Sequence, residues 1–414
     1  MIGLFVVMSE LEERNAVERK LNARIKEFGI VSYIRNIMEA EEVTSRHNDT
    51  VSGIIILVAS GGTEAIINQI VFQSGKPVLL WANPEQNSLP SALEAYAVLG
   101  ARFPIKLIYA EIGSNDANTE IRRFIRISDA IRTLDNSVIG CIGAPSPWLL
   151  TSHGLQSVDT FKTEIKRIKT DELIARLDIV EEASTKPVLE YISQSIPNID
   201  VSADDIQRAA AVYVALKRLV VEYGLTAVTI RCFDFIPHGF TACLAMALSN
   251  DNGITAGCEG DLEATFSMMV ATGVSKQPCW MANVVRANPR ENTITLAHCT
   301  IPTSMISDLS LSRLVTHMES DMGVALQGPL DSGDVTLVRL GNHLKTMRIS
   351  SGQLVDSDMK DSSLCRNQAL VRLESPVEEW LQSAPGNHHV LVYGNIVPVL
   401  KDFCTLTRIN PVFS

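Results

Sequence analysis

The sequence predicts an α/β protein with two N-terminal doubly wound parallel-sheet (Rossmann-like) domains and a C-terminal antiparallel β-barrel. Three observations carry this. Continuous apolar runs such as GIIILVA (53–59) and PVLLW (77–81) alternate with amphipathic stretches; strands covered on both faces by helices read that way. From Thr293 onward the texture changes to short, alternating, turn-bounded runs: TITLAHCTIP, GVALQG, GDVTLVRLG, LKTMRIS, GQLVDS, QALVRLE and HHVLVYG. Antiparallel strands of a barrel or sandwich give that pattern. The chain has 414 residues, too many for one ordinary core. The composition shifts place the domains at 1–115, 116–290 and 291–414.

In order, 2–8 is an apolar strand and 10–28 an amphipathic helix stopped by Gly29. The strand 53–59 leads into Ser60-Gly61-Gly62-Thr63 and a helix over 65–73. A loop at a strand's carboxyl end that opens a helix suits an anion or hydroxyl group, or is simply a tight turn with an N-cap. It is neither GxGxxG nor a Walker loop. The strand 77–81 and a helix over 93–99 follow, then a helix over 118–132 and a strand over 138–142. That strand ends in GAPSPWLLTSHG, a Pro/Gly/Ser loop carrying Trp148 and His153. Loops at strand ends are where α/β sheets bind ligands, so Trp148 is a candidate sugar-stacking face or a loop anchor. Long helices are expected over 161–182 and 203–223, the second capped by Ser202 or Asp204 and stopped by Gly224. A strand over 227–235, a helix over 240–250, a strand over 254–257 and a helix over 262–271 complete the central part.

Charge and cysteines exclude several classes. The net charge of −11 opposes nucleic-acid binding, which needs a concentrated basic face. The densest basic run, Lys162 to Lys169, reads as the solvated face of a helix. The eight cysteines occur singly, without a CxxC pair, as expected of buried reduced thiols in a cytoplasmic protein. The N-terminal apolar run lacks a basic n-region, so it reads as a strand and not a signal peptide. No uncharged apolar run is long enough for a membrane span.

The chemistry-bearing residues cluster in AGCEGDLEATFSMM, CWMANVVRANPRENTITLAHCTIP and GNHHVLVYG. Glu259, Asp261, Asn283, His298, His388 and His389 are oxygen and nitrogen donors at turn and strand ends in otherwise apolar sequence. One divalent cation, Mn²⁺ or Mg²⁺, takes such a set with positions left open for substrate. Glu259 is the candidate for both ligand and base, because a carboxylate after a buried strand needs a partner. Asp261 can instead N-cap the following helix. If HHVLV is a strand, His388 and His389 point to opposite faces and give one ligand, not two. His238 and Arg231 are weaker pocket candidates; Arg231 can pair with Asp234. His317 and Glu319 read as a supporting pair or a solvated turn, and Trp280 as core.

At CEGD, WMAN, AHCTIP and GNHHVLVYG the chain resembles the L-fucose isomerase / L-arabinose isomerase superfamily of aldose–ketose isomerases, best over 200–414. The resemblance implies a manganese ion held by Glu259, Asn283 and His388, with His298 matching an additional histidine of the arabinose enzymes. It implies proton transfer between sugar carbons 1 and 2 through an ene-diol. The candidate site then comprises Glu259 and Asp261 as catalytic residues, Glu259, Asn283, His298 and His388 as metal ligands, and Trp148, Arg231, Asp234, His238 and His389 against substrate. Where the fucose enzymes carry an aspartate, this chain has Asn283, whose amide can ligate but cannot take a proton. One acid/base role must therefore move, with Asp261 and Asp234 as candidates. The resemblance also implies a trimer or hexamer. Three alternatives stand beside it: an isomerase of an anionic sulfo- or phospho-sugar, a non-catalytic sugar binder, and a regulatory α/β module.

Overall fold

The computed structural model describes residues 1–9, 19, 21, 28–152, 155 and 159–413. The helix expected over 10–28 lies almost wholly outside the described residues, as does His153. The chain divides into two compact units, 1–133 with 399–410, and 134–398 with 411–414.

The first unit is a five-stranded parallel sheet: β1 (Ile2–Val7), β2 (Ile30–Ile34), β3 (Gly53–Val58), β4 (Val78–Ala82) and β5 (Ile105–Tyr109), in order β2-β1-β3-β4-β5. β1, β3 and β4 are buried at every position, which is why they read as unbroken apolar runs. The edge strands β2 and β5 were not expected from sequence; IVSYI and IKLIY are only partly buried and weakly apolar. The order reverses between β1 and β3, and the Ser60–Thr63 loop leaves there, with the Ser9 backbone N–H donating to Ser60 Oγ at 2.7 Å.

The second unit has a parallel sheet of β6 (Val138–Ile142), β7 (Glu164–Ile168), β9 (Ala227–Ile230) and β10 (Thr255–Cys258), in order β10-β9-β6-β7. The short β8 (Asn198–Ile199) pairs elsewhere, with β13 (Arg313–Val315) and then β14 (Ala325–Gln327). The barrel consists of β11 (Cys279–Asn288), β12 (Thr293–His298), β15 (Gly333–Gly341), β16 (Thr346–Ser357), β17 (Asn367–Leu373) and β18 (His388–Tyr393). These six antiparallel strands run β15-β18-β11-β12-β17-β16, and β15 pairs with β16 to close the ring. Closure leaves no unpaired edge. Trp280, Leu296, Leu337, Val371 and Leu391 belong to the cluster that fills it.

Three expectations are corrected. The stretch 161–182 is not one long helix: Glu164–Ile168 is β7, parallel to β6, and Thr170–Leu177 is a separate helix. The Lys162–Lys169 basic run therefore lies on a sheet-edge strand, where Ile165 and Ile168, three apart, imitate helical spacing. The strand expected over 227–235 stops at Ile230. A 3₁₀ turn over Cys232–His238 follows, holding Pro237 and stopped by Gly239 at φ 77°. LKTMRIS and GQLVDS merge into the single strand β16.

The helix Ala203–Tyr223 forms where expected, with Ser202 Oγ accepting from the Asp205 N–H and Gly224 left-handed at its end. The helix that matters most is Leu262–Ser275. It links β10 to β11, is buried over most of its length, and packs against β9 and β10 as well as β11, β15 and β18. Its N-terminus delivers the CEGD turn to the foot of β18.

Candidate active site

The turn from Cys258 to Asp261 is held in a conformation few sequences accept. Glu259 adopts φ +60°, uncommon for a residue with a side chain. Its N–H donates to the Ile230 carbonyl and its carbonyl accepts from the Ser146 N–H, both at 2.8 Å. Gly260, at φ +73°, sits so close to the 144–145 backbone that a Cβ would lie 2.7 Å from the Pro145 Cα. The glycine in CEGD is thus required by both dihedral and space. Strain of this kind persists where surrounding contacts over-determine it, and it concentrates at functional sites.

The turn presents two carboxylates in different roles. Glu259 is 8% exposed, and its Oε2 accepts from the Trp148 Nε1–H at 2.6 Å. Its Oε1 lies 3.8 Å from His388 Nε2. Asp261 is fully buried and caps the helix by accepting from the Ala264 N–H at 2.9 Å. The same carboxylate accepts from Ser152 Oγ and Arg339 Nη1, each at 2.8 Å, and faces His388 Nδ1 at 2.9 Å. Burial on its own would raise the Asp261 pKa. The Arg339 charge and the His388 contact outweigh it and hold the carboxyl well below the usual carboxylate range. Arg339 is fully buried as well, with Glu263 Oε2 3.5 Å from Nη2. Burial raises Glu263 despite that cation.

An ionised Asp261 accepts from His388 Nδ1–H, and in the neutral ring this tautomer leaves Nε2 with its lone pair. That nitrogen is buried, has no hydrogen-bond partner among the described residues and faces Glu259 across a gap too long for a hydrogen bond. A histidine oriented by a carboxylate behind it, with a bare nitrogen opposite another carboxylate, has the donor chemistry of a cation site. The residues present fit such an ion at two points. Asn283 and His298 line the same cavity as Glu259; the His298 ring lies 5.8 Å from that of His388. The Asn283 carbonyl oxygen already accepts from Asn387 Nδ2 at 2.7 Å. Among the described residues, no three His, Cys, Asp or Glu side chains stand ready as a cage. Burial lowers the His298 pKa to about 3, so its ring is neutral.

The structure separates the remaining sequence candidates. His389 lies on the opposite face of β18, with Leu391, and packs against Trp380 at 4.7 Å. Burial lowers its pKa to about 3. Arg231 and Asp234 pair at 3.4 Å and line an open cleft with Arg167 and Lys169. The cleft lies at the carboxyl ends of β6, β7 and β9, where the strand order reverses, and is bordered by Gly143–Pro145. His238 is exposed at the end of its turn and contacts Phe240 rather than the cavity. Trp148, 53% exposed, packs edge-on against Phe233, which packs edge-on against His317.

Glu319 stands on the cavity wall with Glu259. Partial burial and the Glu259 charge raise its pKa. The HMES segment holding it offers only His317 and Glu319 two residues apart, and nothing in its spacing signals that this loop meets the CEGD turn. The cavity itself is about 30 Å³, room for an ion and a water rather than a sugar ring. Among the described residues no helix is long and apolar enough to cross a membrane.

No family model matches the chain. Sulfoquinovose isomerase of Alkalicoccus urumqiensis is 21% identical over 355 residues, covering 81% of this chain and 80% of that protein. Sulfoquinovose isomerase of Clostridium sp. (strain MSTE9) is 23% identical over 383 residues, covering 86% and 85% respectively. The chain is thus similar, over most of its length, to two proteins named as isomerases of one sugar.

Proposed function

We propose that the protein is an aldose–ketose isomerase acting on an anionic, sulfonated sugar, with Glu259 as the base that moves a proton between carbons 2 and 1. The observation that carries this is the bare Nε2 of His388 facing, at 3.8 Å, the Glu259 carboxylate that lines the cavity. The two relatives named sulfoquinovose isomerase support the sugar class.

Each residue has a distinct part. Trp148 fixes Glu259 Oε2, leaving Oε1 to take the proton. Asp261 acts through His388, holding its tautomer, and Arg339 keeps Asp261 ionised. Glu319, raised toward its protonated form, takes the acid role that Asn283 cannot fill; two carboxylates in unlike environments divide acid and base duties. Glu259 and His388, with His298 and Asn283 beside them, would hold Mn²⁺ or Mg²⁺. Such an ion supplies Lewis-acid stabilisation of negative charge on the sugar oxygens. The ring would rest at the cavity mouth, where Trp148 and Glu319 meet solvent. Arg231, Arg167 and Lys169 offer positive charge to a sulfonate beyond the 143–148 loop. We also propose a homo-oligomer, on the resemblance alone.

The test is deuterium exchange at carbon 2 across pentoses, 6-deoxyhexoses and 6-sulfo- and 6-phospho-hexoses, with Mn²⁺ and with chelator. Exchange on the sulfonated sugar, lost in Glu259→Gln and weakened in Arg231→Gln mainly through KM, is expected. Sugar binding without exchange on any substrate would overturn the isomerase in favour of a binder. Undiminished exchange with chelator would remove the metal.

A further inference from the structure

Five of the eight cysteines, at 232, 243, 258, 299 and 365, line the cavity beside Glu259. They include two close thiol pairs. Cys232 and Cys258 have their sulfurs 3.7 Å apart, and both are buried. Cys299 and Cys365 have theirs 3.6 Å apart, and Cys365 is partly exposed while the other seven cysteines are buried. An oxidant from solvent therefore reaches the second pair, through Cys365, more readily than the first.

The backbone brings the second pair together and keeps it there. Cys299 directly follows His298 at the end of β12, and Cys365 lies two residues before β17. His298 is paired in register with Asn367. Asn367 Nδ2 also donates to the Cys299 carbonyl at 3.2 Å. Forming a bond of about 2.05 Å asks the sulfurs to close by only about 1.5 Å. Cys365, partly exposed, is placed to react with an oxidant from solvent, and the buried Cys299 beside it to resolve the adduct, the arrangement expected of a reactive cysteine beside a resolving one.

We propose that Cys299 and Cys365 are a reversible thiol-oxidation site at the edge of the cavity. The oxidant is a low-molecular-weight disulfide such as oxidised glutathione. The Cys365 thiolate attacks one of its sulfurs, forming a mixed disulfide and releasing one glutathione thiolate. Cys299 loses its proton to solvent and attacks the Cys365 sulfur, releasing the second. Two protein thiols become one disulfide, and one oxidised glutathione becomes two reduced molecules. The bond draws the Cys365 wall toward His298 and so narrows the cavity. This stands on the thiol geometry and not on the isomerase reading.

The experiment is peptide mapping of the full chain after incubation with oxidised glutathione and alkylation of the remaining thiols. The expected result is a peptide linked through Cys299 and Cys365. It should disappear on dithiothreitol treatment and be absent from Cys365→Ser and Cys299→Ser proteins that keep the wild-type melting temperature. A stable glutathione adduct on Cys365 with no linked peptide, no reaction at all, or a link through Cys232 and Cys258 would overturn the proposal. The narrowing is read as carbon-2 exchange that falls with the linked fraction and returns on reduction, each variant being compared with its own reduced form. Equal exchange in linked and reduced protein would overturn the narrowing while the map still decides the oxidation site. A protein that exchanges no sugar would overturn the isomerase and leave the map unaffected.

Discussion

The two faces of β18 carry adjacent histidines that differ in almost everything except burial. His388 and His389 are both 0% exposed, and each has a buried Nε2 without a hydrogen-bond partner among the described residues. On the face toward the CEGD turn, His388 has an ionised Asp261 2.9 Å behind Nδ1 and a second carboxylate across from Nε2. On the barrel face, the Nδ1 of His389 meets only the carbonyl of Asn387, at 3.4 Å, and its ring packs on Trp380. Burial is common to both, so burial cannot be what makes a histidine functional. On the proposed reading, the group behind Nδ1 and the group facing Nε2 do that.

The comparison breaks most sharply at Glu259. Glu259→Gln should lower the rate of carbon-2 exchange by about 10³-fold, at the scale of a lost general base, with an unchanged melting temperature. A loss below about tenfold in single-turnover exchange would place the base elsewhere. Asp261→Asn tests the support behind His388. It removes the closer of the two carboxylates beside Arg339, so urea unfolding should show a loss of about 3 kcal/mol. Mn²⁺ affinity should weaken by about 10–100-fold. Unchanged stability would mean that the buried ion pair is idle.

Smaller effects sharpen the barrel face. In the folded state His389 and His298 both titrate near 3, against about 6.5 when unfolded. Between those values the unfolded chain binds more protons, so stability is fully present above about pH 6.5 and is lost as pH falls toward 3. Each histidine contributes a slope of about 1.4 kcal/mol per pH unit in that window. His389→Leu should remove one such share between about pH 6 and 5, measured by urea midpoints, while activity near neutrality stays close to wild type. An unchanged slope would mean that His389 is not buried neutral. Trp148→Phe should lower the exchange rate by about tenfold, by freeing Glu259 Oε2.

Much of the framework was legible in the residues. Unbroken runs such as GIIILV announced central parallel strands, and the alternation after Thr293 announced the barrel. The CEGD turn stood out because Glu259 had no local reason to be there. The period of two along HHVLVY put the histidines on opposite faces. Three things were hidden for physical reasons. β7 sits at a sheet edge, so its charged residues are tolerated and its two isoleucines copy helical spacing. Arg339 is an unremarkable arginine in GDVTLVRLG until folding buries it against Asp261. Glu319 lies on a loop whose approach to Glu259 depends on contacts between residues far apart in sequence. Sequence periodicity reports faces within one element; it does not report which faces of different elements meet.

The most direct measurement is carbon-2 exchange and Mn²⁺ binding of His388→Gln beside His389→Gln, both checked for folding. The account predicts at least about 100-fold loss of exchange and loss of bound Mn²⁺ in the first, with near wild-type values in the second. Equal loss in both, or loss only in His389→Gln, would contradict it, because the barrel face would then share or own the site.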